Sequence, residues 1–175
     1  LVHLDGISRM RSRFKPLKKK AKEKLEEVAD ARGLTEEQLG DRLTPKLGLD
    51  ANGQRILDYG SRQLTVRFDG DLTPYLLDEK GKRLANAPKA KKSDDALAAK
   101  EAISSWKALK KDVKSVAQVQ LLRLESALGR QRKWDRESFV AAFADHPLLR
   151  QLTRRLLWAT YEGAKPSALF RIAED

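Results

Sequence analysis

Residues 50–68 read Asp50-Ala51-Asn52-Gly53-Gln54-Arg55-Ile56-Leu57-Asp58-Tyr59-Gly60-Ser61-Arg62-Gln63-Leu64-Thr65-Val66-Arg67-Phe68, and the architecture turns on them. Asp50 to Gly53 is a turn signal, Ile56 to Tyr59 a short strand, and Gly60-Ser61 a second turn. Leu64, Val66 and Phe68 then alternate with Gln63, Thr65 and Arg67, the period of a strand with one buried face. Pro74 to Leu77 gives a further strand. Proline lacks an amide proton, so Pro74 must be a strand's first residue or sit on an edge. Asp78-Glu79-Lys80-Gly81-Lys82 suits a hairpin turn with Gly81 left-handed. Residues 46–85 therefore read as a small antiparallel β-meander, marginal alone and in need of helices to lean on.

On the N-terminal side, residues 1–45 read as helical. Leu17, Ala21, Leu25, Val28 and Ala29 recur at helical spacing among Lys and Glu, with Pro16 suited to the first turn and Gly33 to the stop. Thr35 followed by Gln38 is a capping box opening a second short helix through Leu39 and Leu43. Ile7, Met10 and Phe14 suggest another helix before Pro16. On the C-terminal side, residues 86–94 have neither periodicity nor apolar content and read as an exposed linker. Residues 95–175 read as a helical segment. One long helix over about 95–128 carries Ile103, Trp106, Leu109, Val113, Val116, Gln120, Leu124 and Ala127, and at about 50 Å it invites a break. Two shorter helices come next, one bearing Phe139, Val140 and Phe143, the other an apolar stripe of Leu149, Leu152 and Leu156 running to Gly163. The segment ends in a truncated strand over 169–175. No internal repeat is evident. The expected fold class is α+β, predominantly helical, with helices flanking the meander.

Composition narrows the functional classes. The 175 residues carry 36 Lys plus Arg against 25 Asp plus Glu, a net charge of +11, and 35% charged residues against a usual quarter or so, which makes a surface-rich chain. No apolar run exceeds Phe139 to Ala144, far short of the ~20 residues a membrane-spanning helix needs. The absence of cysteine removes disulfides, thiolate nucleophiles and sulfur-ligated metals, and two distant histidines, His3 and His146, cannot make a histidine cluster. This pattern suits a cytoplasmic protein. The first and last residues suggest a piece of something longer.

A resemblance runs through Leu47-Gly48-Leu49, Gly53, Leu57-Asp58-Tyr59-Gly60, Arg62, Val66, Phe68-Asp69, Leu72, Pro74, Asp78 and Gly81-Lys82. It continues through Asp94-Asp95, Trp106, Leu109-Lys110-Lys111, Arg132, Trp134, Phe139, His146-Pro147-Leu148, Leu157-Trp158 and Phe170-Arg171-Ile172-Ala173-Glu174-Asp175. The chain resembles the MolR-like bacterial domain of unknown function. Such domains sit toward the C-terminal part of large bacterial proteins, often with WGR domains. The resemblance implies a regulatory setting, no established chemistry, and no cofactor. Asp58, Tyr59, Arg62, Trp134, His146 and Trp158 belong to the pattern without an assigned role.

Charge supplies the remaining candidates. Arg9, Arg11, Arg13, Lys15, Lys18, Lys19, Lys20, Lys22 and Lys24 crowd one stretch beside the single acid Glu23, and Lys80, Lys82, Arg83, Lys89, Lys91 and Lys92 occupy another without any acid. Both clusters suit phosphate contacts or plain solvation. Arg130 and Arg132 beside Trp134 could form an anion site with a stacking plane, or the Trp could be core. His146 reads as a base or as the cap of a turn. Asp58 and Arg62 could pair across their turn, or act chemically if Asp69 or Asp71 came within reach. The leading expectation is a non-catalytic regulatory or interaction module whose partner is another domain of the same polypeptide or another protein. Nucleic-acid binding through Lys18, Lys19, Lys20, Lys22, Lys89, Lys91 and Lys92 is the alternative, and an uncharacterised enzyme the third.

Overall fold

The computed structural model describes residues 15–173. The helix expected over Ile7, Met10 and Phe14, the arginines Arg9, Arg11 and Arg13, and the side chain of Lys18 lie outside the described residues. Two units divide the chain, Leu1–Pro45 and Lys46–Asp175.

The first unit is a helical hairpin. Helix α1 (Lys15–Asp30) ends where Gly33 adopts φ +61°, and α2 (Glu36–Arg42) opens on the reciprocal cap in which Thr35 accepts from the Gln38 amide while Gln38 accepts from the Thr35 amide. Leu25, Ala29 and Leu39 form its core, with Val28, Leu34 and Leu43 against them. Leu17 stays exposed.

The second unit opens with the meander. Strands β1 (Arg55–Asp58), β2 (Gln63–Phe68), β3 (Pro74–Leu77) and β4 (Arg83–Leu84) lie in sequential antiparallel order. Pro74 is the first residue of β3, paired with Phe68, where no ladder amide is lost. Leu57, Leu64, Val66, Phe68 and Leu76 share the buried face. Helix α3 (Ala96–Gly129) covers that face with Ala99, Ala102, Trp106, Leu109 and Val113. Arg55 in β1 ties the layers by donating to Ser105 Oγ at 2.7 Å.

Contrary to the expectation from sequence, the meander contains a repeat. Asp50, Asp69 and Asp78 each close the same five-residue turn. In each, one carboxylate oxygen accepts from the amides two and four residues on, at 2.7–3.0 Å. The fourth residue of each turn is left-handed: Gly53 at φ +71°, Leu72 at +58° and Gly81 at +76°. Leu72 hides the pattern because it spends its side chain on the core, 4% exposed, in a backbone conformation that usually selects glycine.

Helix α3 runs 34 residues without the expected break. Neither proline nor glycine interrupts it before Gly129, and its buried stripe continues from Val113 to Gln120 and Ala127. Its first half covers the sheet, and Leu124 in its second half packs on a separate aromatic core. That core gathers Trp134, Phe139 of the short helix α4 (Arg136–Phe139), Phe143 of the π-helical turn Val140–Ala144, and Trp158. Rings meet mostly edge to face, Phe139 on Trp158 at 4.8 Å and Trp134 on Phe143 at 5.3 Å.

Two expectations fail at the C-terminal end. Helix α5 (Leu149–Thr153) stops well before Gly163, and residues beyond it form a hairpin of β5 (Trp158–Glu162) and β6 (Lys165–Phe170). The strand expected over 169–175 instead begins at Lys165. Trp158 and Phe170 are cross-strand partners, and both rest on Phe139, so the hairpin's gain comes from aromatic packing that a helix would dissolve. Among the described residues helix accounts for 44% and strand for 17%. The fold is α+β, without helical predominance.

Candidate functional site

The group Asp58, Tyr59 and Arg62 sits at the end of the meander where β1 turns into β2. The expected Asp58–Arg62 ion pair does not form. Asp58 Oδ1 accepts from the Gly60 amide at 2.8 Å and fixes the turn. Arg62 reaches past it to Asp94, Nη2 to Oδ2 at 2.9 Å, in a pair whose side chains are 16% and 0% exposed. Its guanidinium also donates to the Lys89 carbonyl at 3.2 Å and lies 4.9 Å from the Tyr59 ring centre. The buried Tyr59 donates its hydroxyl proton to the Pro88 carbonyl at 3.1 Å. The Asp95 amide bonds the Tyr59 carbonyl at 3.0 Å.

Residues 86–95, largely exposed, form a strap hydrogen-bonded across the turn. Asp94 is its hub, accepting from the Lys91 amide at 2.8 Å, from Ser61 Oγ and from Arg62. These donors, the Lys91 amide foremost, hold the Asp94 carboxyl down to about 2. Burial raises the Tyr59 pKa, and the Asp94 charge adds to that against the opposing pull of Arg62. Gly60, at φ +82°, is pressed so close that a Cβ there would stand 2.8 Å from Asp95 Cβ.

Asp69 and Asp71 lie at the other end of β2, six residues or about 20 Å away along the strand. Asp69 closes its own turn and meets Arg83 at 3.4 Å, and Asp71 pairs with Arg155. Neither carboxylate thus joins Asp58. Among the described residues no group of three or more His, Asp and Glu is placed to hold a metal ion.

His146 is buried, and its Nδ1 accepts from the amides of Leu148 and Leu149 at 3.2 and 3.1 Å, capping the entry to α5. Trp134 and Trp158 belong to the aromatic core. Trp158 Nε1 donates to the Thr153 carbonyl at 3.0 Å, and the Arg132 guanidinium stacks 4.6 Å from the Trp134 ring centre, while Arg130 stays exposed.

The basic residues separate into two kinds. On α1, Lys19 meets Glu23 at 3.7 Å, Lys22 meets Glu26 at 3.0 Å and Glu36 at 3.9 Å, and Lys24 meets Glu27, so the cluster carries much of its own countercharge. The hydrogen bond to Glu26, then the charge of Glu36, raises the Lys22 pKa. Lys20 is exposed. Lys89, Lys91 and Lys92 lie on the strap, all three exposed. Beside them runs a shallow open groove of about 340 Å³, lined by Ala90, Ala96, Lys100, Ile103, Ser104 and Lys107. Sequence reasoning missed Ser61 and Asp94 as partners of Arg62, because a contact spanning some thirty residues leaves no local pattern.

An α+β module with its polar pattern residues committed to turns, caps and a strap is the class these features define. The chain belongs to the family described as a domain of unknown function, DUF4132, whose model matches residues 81–175. Over 178 residues it is 42% identical to the uncharacterized protein YehI of Escherichia coli (strain K12), covering all of this chain and 15% of that protein. No solved structure matches.

Proposed function

We propose that this unit is a non-catalytic docking module that seats another part of the same polypeptide. The bare outer face of the β5–β6 hairpin carries the reading. Its inner face, with Trp158 and Phe170, rests on Phe139, while the opposite-facing pair Ala159 and Leu169 looks outward, with Leu169 66% exposed. Among the described residues neither strand has a further partner in its sheet. Leu128 of α3, one turn beyond Leu124, is 82% exposed, Leu157 is exposed ahead of the hairpin, and large apolar side chains left bare near one core mark a contact surface. The occupant follows from scale: in the Escherichia coli relative such a unit accounts for 15% of the chain, leaving ample neighbouring polypeptide to cover it. A place in a MolR-like regulatory protein and a cytoplasmic setting fit the same reading. No helix among the described residues is long and apolar enough to cross a membrane.

The test is photo-crosslinking from positions 128 and 169 in the full-length polypeptide. Intramolecular crosslinks to segments outside these 175 residues are expected. Crosslinks to a second copy, or none at all, would overturn the proposal.

A further inference from the structure

Lysines 100, 107, 111 and 114 of α3 fall at steps of seven, four and three, which places them within about 40° of one line along the helix. All four are exposed, and none is in an ion pair among the described residues. The line lies on the side away from the sheet, with Ser104 between Lys100 and Lys107 and Gln118 beyond Lys114. Glu101 and Asp112 stand a quarter turn or more around the helix, about 100° and 120° from the line. The stripe spans about 21 Å.

The strap brings three more lysines alongside. Ala90, flanked by Lys89 and Lys91, lines the same groove as Lys100 and Lys107. Three bonds fix the strap backbone in place: Tyr59 donates to the Pro88 carbonyl, Arg62 donates to the Lys89 carbonyl, and Asp94 accepts from the Lys91 amide. Arg62 and Asp94 are thereby positioning residues for the lysines on either side.

We infer that Lys89, Lys91, Lys92, Lys100, Lys107, Lys111 and Lys114 form one surface that binds the phosphate backbone of a nucleic-acid duplex without regard to sequence. A duplex carries one negative charge per about 1.7 Å of axis, so 21 Å of stripe faces on the order of a dozen phosphates. Point-charge lysines on flexible stems suit such contacts and carry no base readout. No aromatic side chain stands in the stripe, which argues against stacking on single strands. Between Lys100 and Lys114 the one large apolar side chain beside the stripe is the half-buried Ile103, too little for insertion into a lipid surface. The surface is separate from the bare hairpin face, and neither proposal depends on the other.

The experiment is fluorescence anisotropy of the 175-residue chain with a labelled random-sequence DNA duplex, repeated over a salt series. Seven contacts give a slope of log affinity against log salt of about −6. Replacing the four stripe lysines by glutamine should bring the slope to about −3 with unchanged circular dichroism. The single charge reversal Lys107→Glu should weaken binding in the same direction and guards against a misfolded quadruple variant. Arg62→Ala should weaken binding while leaving the lysines in place. Replacing Lys19, Lys22 and Lys24 by glutamine should leave the slope within one contact of wild type. Undiminished binding in the stripe variant would assign the affinity to the N-terminal cluster and overturn the inference. Binding to phosphatidylserine vesicles but not to duplex, or no binding at about 50 mM salt, would overturn it as well.

Discussion

At Asp94 three donors converge on one carboxylate, and the pH dependence of the strap follows from them. The folded value is about 2 against an ordinary 3.8, so the stabilisation is complete above the ordinary value and fades as pH falls through 2. In guanidinium melts from pH 6 to pH 2, the stability difference between wild type and Asp94→Asn should therefore shrink steadily below pH 4. A constant difference would show that the carboxylate's charge is not what holds the strap. His146 offers a sharper residue-level contrast. His146→Ala orphans two buried amides and should cost about 1–3 kcal/mol, whereas His146→Asn, whose side-chain oxygen can also cap, should recover part of that in the same melts. Gly60 and Gly81 share a left-handed backbone but differ in surroundings. Gly81→Ala meets open space and should cost only the backbone penalty of about 1 kcal/mol. Gly60→Ala adds a clash with Asp95 and should cost clearly more, with amide exchange rising across residues 88–95.

The hairpin is the element whose two faces should answer mutation differently. Trp158→Ala removes ring contacts to Phe139, Phe143 and Trp134 and the bond to the Thr153 carbonyl, and should destabilise the isolated chain by about 3–5 kcal/mol. Leu169→Glu, on the bare face, should change its stability by no more than about 0.5 kcal/mol, measured by thermal denaturation. Why one of these elements was legible in sequence and another was not comes down to the range of the interactions that decide each. The meander could be read because Leu64, Val66 and Phe68 alternate locally and Gly53, Gly60 and Gly81 mark their own turns. The capping box at Thr35 is equally local. The hairpin could not, because Leu149, Leu152 and Leu156 continue a helical spacing that only the distant ring of Phe139 overrules. The polar site was hidden for the same reason. Arg62 has an acid four residues before it, and nothing in that spacing reveals that its partner is Asp94.

The whole second unit is organised by one helix serving two cores. The two ends of the meander anchor different connections, with the strap at one and, at the other, Gly53 packed against the Pro147 carbonyl and Arg155 bonded to the Gly70 carbonyl. Helix α3 joins the sheet core, against which Val116 and Ala117 still pack, to the aromatic core, which it meets at Leu124. If that continuity makes the unit cooperative, breaking it there should separate the two cores. Ala117→Pro removes a helical hydrogen bond and costs about 3 kcal/mol or more where the helix leaves the sheet core, two turns before Leu124. The chain's three tryptophans are placed to report the result, Trp106 within the sheet core and Trp134 and Trp158 within the aromatic one. With 5-fluorotryptophan, wild-type fluorine resonances should move together through a single urea transition. In Ala117→Pro, Trp134 and Trp158 should shift at lower urea than Trp106, because the aromatic core loses its covering helix while the sheet keeps Ala99, Ala102 and Trp106. Coincident transitions in the variant would mean that the strap and the Arg155 contact, rather than helical continuity, bind the unit together.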